Sequence, residues 1–148
     1  MAMQTQIITA KKVEKMKHGL SIMLIDDDEG CLKVMSRALD LFKFNNRQFS
    51  SPGRAIEAFR KGGYNLVVTD FKMGEMDGLE VIREIKKINP QTRVIMLTGL
   101  TGINSQSRAE DCGVYAFFPK PLDMKTFLGT ISRLEEELIA GCAESYLE

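Results

Sequence analysis

The chain has 148 residues, with 20 basic and 20 acidic side chains that cancel, 44% hydrophobic residues and 27% charged residues. This is one domain's length of chain with enough apolar material for a core, and the balance excludes nucleic-acid binding driven by bulk charge. Three cysteines, Cys31, Cys112 and Cys142, form no CxxC pair, and with one histidine in the chain a zinc site is not expected.

Free thiols in a reducing compartment are therefore expected. No apolar run approaches the roughly 18 residues of a membrane span. Gln6 to Ala10 is too short and too polar for the apolar region of a signal peptide. The expectation is a cytoplasmic protein.

Residues 1–20 differ from the rest, with Lys11, Lys12, Lys15 and Lys17 against Glu14 and a weak apolar set of Ile7, Ile8, Val13 and Met16. They read as a poorly ordered or loosely docked extension. Ile22 to Ile25 is a buried-strand run that ends in Asp26-Asp27-Asp28-Glu29. Leu32, Met35, Leu39 and Phe42 then recur at helical spacing. Asn45-Asn46 is expected to break that helix, and Arg47 to Phe49 to form a short second strand. Ser51-Pro52 offers a capping hydroxyl and a proline in the first turn of a helix that buries Ile56 and Phe59 and ends at Gly62-Gly63.

Tyr64 to Thr69 is the third strand, and it runs into Asp70. Asp77 caps the next helix, with Val81, Ile82, Ile85 and Ile88 inward and Asn89-Pro90 as its stop. Arg93 to Leu97 is a fourth strand ending at Thr98-Gly99. A polar helix from about Ile103 to Cys112 has the fewest apolar contacts. Val114 to Phe118 is the fifth strand, followed by Pro119-Lys120-Pro121. Asp123 caps a last helix with Phe127, Ile131, Leu134 and Leu138 on one face. Five strand–helix alternations predict an α/β protein, a doubly wound five-stranded parallel sheet of the flavodoxin-like (βα)5 kind. The alternation does not itself fix the order of the strands.

In a parallel sheet all strands present their carboxyl ends on one edge. That edge would gather Asp26 and Asp27, Asp70, Thr98 and Lys120. Three carboxylates in one cleft repel unless a cation is present, and oxygen-only ligands favour a hard ion such as Mg2+. A lysine and a hydroxyl facing them suit an incoming phosphoryl group. The set points to phosphoryl transfer onto a carboxylate. Asp28 and Glu29 read instead as the acidic start of a helix.

The motifs Leu24-Ile25-Asp26-Asp27-Asp28, Val68-Thr69-Asp70 through Met76-Asp77-Gly78, Ile95-Met96-Leu97-Thr98-Gly99 and Phe117-Phe118-Pro119-Lys120-Pro121 resemble those of response-regulator receiver domains of two-component signalling (the CheY-like superfamily). The resemblance covers about Ser21 to Leu138 and implies the strand order 2-1-3-4-5. It implies Asp70 as the phospho-acceptor, served by a histidine kinase or a histidine phosphotransfer protein of a two-component system or phosphorelay. It implies Mg2+ held by Asp27, Asp70 and the backbone carbonyl of Lys72, with Asp26 acting through a water. Lys120 would pair with the phosphoryl oxygens across a cis bond to Pro121, and Thr98 and Phe117 would relay the change. Such a domain is a switch rather than an enzyme, apart from catalysing its own phosphorylation and dephosphorylation.

Three departures from the family pattern stand out. Gly74 replaces the usual proline after the acceptor, Lys72 and Leu100 occupy positions that tune phosphoryl lifetime, and the helix after Thr98 is unusually polar. The domain is expected over 21–139, with 140–148 a tail whose end, Leu147-Glu148, has the look of an expression remnant. Ten residues after Leu138 are too few for an effector domain. A target on another chain or a longer parent regulator is therefore expected, with a homodimer through the last two strand–helix units as a further partner. Two alternatives stay open: a haloacid-dehalogenase-type phosphohydrolase using Asp26 and Asp28, and a receiver-like binding module that is never phosphorylated.

Overall fold

Five short segments pair as strands in the computed structural model of the chain, which describes residues 19–99 and 112–147, the last six without their side chains. They are β1 (Ser21–Ile25), β2 (Asn45–Phe49), β3 (Leu66–Asp70), β4 (Arg93–Thr98) and β5 (Ala116–Pro119). All pairings are parallel and the order is β2-β1-β3-β4-β5, as the resemblance implies. Four helices are described: α1 (Glu29–Leu41), α2 (Pro52–Arg60), α3 (Gly78–Ile88) and α4 (Met124–Leu147).

Alternation along the strands sorts the core onto two faces. Ile22, Leu24, Leu66, Val68, Ile95, Leu97 and Phe118 meet α1 and α4 through Leu32, Met35, Leu39, Phe127, Ile131 and Leu134. Met23, Ile25, Val67, Val94 and Met96 meet α2 and α3 through Ala55, Phe59, Leu79, Val81, Ile82 and Ile85. Because both faces are covered, β1 and β3 are almost wholly apolar. Edge strand β2 is the exception, with Asn45, Arg47 and Gln48 exposed.

The predicted helix starts are observed. Ser51 Oγ accepts from Arg54 N at 3.4 Å, and Asp77 Oδ1 accepts from Glu80 N at 2.9 Å. Asp123 accepts from Lys125 N and from the Thr126 hydroxyl. The end of α1 differs from expectation. Phe42 is 62% exposed and does not join the core. The helix stops at Lys43, whose φ is +62°. Lys43 N donates to Asp40 O and Phe44 N to Leu39 O, each at 3.0 Å, the pairing of a Schellman cap. The cap turns the chain so that Phe44 takes the buried place next to Leu39. Asn45 and Asn46 then start β2 rather than break α1.

At the other end of the chain α4 continues to Leu147, so residues 140–147 extend the helix. The expected helix from Ile103 lies outside the described residues, apart from Cys112, which sits in a turn. No helix among the described residues is long and apolar enough to cross a membrane.

The start of α3 is packed tightly against the end of β3. Gly78 N donates to Phe71 O at 2.7 Å. A Cβ on Gly78 would lie 2.7 Å from Asp70 O and 2.9 Å from Met96 Cε. Backbone cannot give way as a side chain can, so Gly78→Ala is expected to destabilise the fold by about 2 kcal/mol. Urea unfolding measures this, and an unchanged midpoint would show that the loop yields freely.

Candidate functional site

Asp26 follows the last residue of β1, Asp70 ends β3, Thr98 ends β4 and Lys120 follows β5, so the topology alone sets them along one edge of the sheet. Asp26 is fully buried and Asp70 nearly so. Buried carboxylates need donors. Asp26 Oδ1 accepts from Asp28 N at 3.0 Å, and its Oδ2 accepts from Lys120 Nζ at 2.8 Å. Asp70 Oδ1 accepts from Phe71 N at 2.9 Å, and its Oδ2 lies 3.3 Å from Lys120 Nζ. Lys120 is itself set by its backbone, whose N–H donates to Thr98 O at 2.8 Å. The bond from Lys120 to Pro121 is cis, as expected.

The electrostatics follow from this packing. Burial, then the neighbouring Asp26 charge, push the Asp70 carboxyl above the usual carboxylate range, despite the opposing pull of Lys120 and the Phe71 amide. Burial alone would lower the Lys120 ammonium. The hydrogen bond and charge of Asp26, then those of Asp70, outweigh it and leave the ammonium raised. Asp27 is exposed, yet one oxygen from each of Asp26, Asp27 and Asp70 lies within 4.8 Å of the others.

Three carboxylates with one ammonium between two of them leave a local excess of negative charge. Their all-oxygen donor set fits a hard divalent cation such as Mg2+. Among the described residues this is where a cation fits best.

Asp28 stands apart from that set. Its Oδ1 accepts from Gly30 N at 2.9 Å and Cys31 N at 3.3 Å, and its Oδ2 accepts from the Cys31 thiol. Those bonds, the thiol's first, hold its carboxyl below the ordinary range. Asp28 is thus the N-cap of α1, as its sequence context suggested, and it is not placed as half of an Asp-x-Asp hydrolase pair.

Thr98 is half-buried at the same edge, with its hydroxyl donating to Gly99 O at 3.1 Å. Phe117 is half-buried and packs on the α2–α3 face. Lys72 is exposed in the loop after Asp70, and Leu100 lies outside the described residues.

Sequence reasoning missed the backbone amides of Asp28 and Phe71, which have no side-chain signature. Outside the carboxylate cluster it also missed the hydrogen bond from the Ser51 hydroxyl to Glu75 Oε2 at 3.2 Å, made between residues 24 apart in sequence.

A doubly wound parallel sheet whose carboxyl edge gathers acids around one lysine defines a phosphoryl-accepting switch. The family model of the response regulator receiver domain matches residues 22–132, and the chain belongs to that family. It is 29% identical over 127 residues to the transcriptional regulatory protein GlrR of Escherichia coli, covering 86% of this chain and 29% of that protein. It is 32% identical over 117 residues to the C4-dicarboxylate transport transcriptional regulatory protein DctD of Rhizobium meliloti, covering 79% of this chain and 25% of that one. The chain therefore spans between a quarter and a third of the length of these relatives.

Among solved structures it is similar to a response regulator receiver domain protein from Clostridium thermocellum, with TM-score 0.75 and 27% identity, covering 80% of this chain and 95% of that one. A CheY-like receiver domain protein from Methanospirillum hungatei superposes with TM-score 0.76 at 23% identity over 80% and 94% of the two chains, a likeness of fold. The chain is thus a receiver domain, a phospho-accepting switch module of two-component signalling.

Proposed function

We propose that Asp70 is the residue that accepts the phosphoryl group, from a phosphohistidine on a histidine kinase or phosphotransfer protein. The observation that supports this most directly is Lys120 Nζ, within 3.3 Å of oxygens on both Asp26 and Asp70. An Asp70 oxygen forms the new P–O bond as the donor's N–P bond breaks and the imidazole nitrogen leaves. Asp27, Asp70 and the Lys72 carbonyl would hold Mg2+ directly, with Asp26 acting through a water; the ion would offset the negative charge that gathers on the transferring oxygens. Lys120 then exchanges part of its carboxylate pairing for a phosphoryl oxygen, and Thr98 and Phe117 carry the change towards β5 and α4. Water attack on phosphorus later restores the carboxylate.

Residues 21–139 form the signalling unit in this reading, and 1–20 an extension to it. The output surface is β4, β5 and α4, where the Tyr115 hydroxyl donates to Glu137 at 2.9 Å and Arg93 lies over the Tyr115 ring. This surface would meet an effector domain, a target protein or a second copy of the chain. That GlrR and DctD are transcriptional regulators supports an effector joined to or contacted by the receiver.

Incubation with a small acyl phosphate and Mg2+ tests the reading. One acid-stable, base-labile phosphoryl group per chain is expected by intact mass, and none without the cation; no uptake would overturn it. Self-hydrolysis is expected to be slow, because a leucine at position 100 offers an attacking water no polar group and the exposed Lys72 would pair with the phosphoryl group. Leu100→Glu and Lys72→Asn should each shorten the lifetime several-fold, and unchanged lifetimes would sink that part.

A further inference from the structure

The loop from Phe71 to Asp77 carries the proposed Lys72 ligand, yet Gly74 gives it freedom where a proline would stiffen it. A Cβ at Gly74 would touch nothing within 4 Å, so the loop is unpacked at that residue, while Met73 and Met76 on either side pack on the α2–α3 face. The base of the loop is fixed by Gly78 N donating to Phe71 O. Its middle is joined to a neighbouring element through Glu75, which accepts from the Ser51 hydroxyl at 3.2 Å. Ser51 is also the N-cap of α2, a helix with no acidic residue in its own first turn. The Glu75 carboxylate therefore supplies, from another loop, the negative charge that a helix N-terminus favours. Glu75 lies close to that first turn: a Cβ on Gly53 would be in ordinary contact with Glu75 Oε2, at 3.8 Å.

We propose that Ser51 and Glu75 form a latch that docks the acceptor loop on the N-terminus of α2 and so positions the Lys72 carbonyl for the cation. Glu75 is a positioning residue, acting through the loop and touching neither acceptor nor ion. The inference rests on the Mg2+ reading above and adds to it a contact that holds the middle of the loop.

Calorimetric Mg2+ titration of the full chain tests the latch without recourse to phosphorylation. An exposed hydrogen bond is modest in strength, so Glu75→Ala should weaken Mg2+ binding about threefold. Glu75→Gln keeps an acceptor for the Ser51 hydroxyl but loses the charge that faces the helix N-terminus, and should weaken binding less than Glu75→Ala does. Ser51→Asp keeps the cap on α2 but sets a carboxylate against Glu75, and it should also weaken binding. A simple charge effect predicts the reverse pattern, with Ser51→Asp strengthening binding and Glu75→Gln weakening it as much as Glu75→Ala. The reverse pattern, or parent affinity in all three variants, would overturn the latch. If the parent binds no Mg2+, or binds it unchanged after Asp27→Ala, the cation reading falls and the latch falls with it. If the parent and Asp27→Ala behave as expected while the Glu75 and Ser51 variants do not, the latch alone is lost.

Discussion

Asp70→Asn is expected to take up no phosphoryl group from an acyl phosphate and, without divalent cation, to unfold at a higher temperature than the parent. The first result follows from the acceptor role: an amide oxygen does not form the acyl phosphate, and Asp26, buried and paired with Lys120, does not substitute for it. A hydrolase that uses Asp26 as nucleophile would keep its label in this variant.

The second result follows from the sign of the shift. The Asp70 carboxyl is raised, by burial first and by Asp26 second. A carboxyl with a higher pKa folded than unfolded stabilises the protein when protonated, and that contribution is lost as pH rises through the folded pKa. Above that pKa the ionised Asp70 therefore opposes folding. Asparagine removes the charge while its oxygen can still accept from Phe71 N.

The gap between variant and parent should shrink as pH falls through the raised pKa and vanish below the ordinary carboxylate range. Asp28 and Asp123 move the other way: their lowered carboxyls give stability above that range and lose it as pH falls. They do so in both proteins, so the difference isolates Asp70. Adding Mg2+ should raise the parent's midpoint more than the variant's, because the variant has one charged ligand fewer. Calorimetric scans at several pH values, with and without Mg2+, measure all of this. A lower midpoint for Asp70→Asn without cation would mean that Lys120 outweighs burial.

The strand ends were readable from the chain because each depends on a local pattern: a buried aliphatic run followed at once by a polar residue. Asp26, Asp70 and Thr98 all carry that pattern, and helix starts at Ser51, Asp77 and Asp123 carry an equally local one. Strand order is a different kind of fact. Nothing local in Asn45 to Phe49 says that β2 lies outside β1, and the order came from resemblance. The end of α1 was misread for a physical reason. Phe42 continues the helical apolar period, and only the left-handed turn at Lys43 removes it from the core. Lysine gives no hint of that turn, where glycine would have. The latch was invisible for another reason: Glu75 reads as a loop acid and Ser51 as a cap. Their meeting depends on how α2 and α3 pack side by side, which no spacing reports.

Lys120→Met should destabilise the metal-free protein by about 2–3 kcal/mol, less than a fully buried broken pair because the lysine keeps some contact with water. Methionine retains the aliphatic stem, so the change removes the cation with little loss of packing. What remains is Asp26, whose side chain is wholly buried and whose Oδ2 has lost its partner at 2.8 Å, beside the Asp70 carboxylate. Two neighbouring carboxylates without a cation cost more than either alone. Asp70→Asn should therefore rescue much of the loss. In the parent that change also gives up the 3.3 Å contact with Lys120, so it should gain more in the Lys120→Met background than in the parent. Equal gains in the two backgrounds would mean that Lys120 serves Asp26 alone. Mg2+ should stabilise Lys120→Met more than the parent, since it then meets the same three acids with no ammonium competing for them. Denaturant midpoints for the four proteins of this cycle, with and without Mg2+, decide the matter. A Lys120→Met protein as stable as the parent, and no more responsive to Mg2+, would mean that water already screens these charges and that the lysine holds nothing in place before the phosphoryl group arrives.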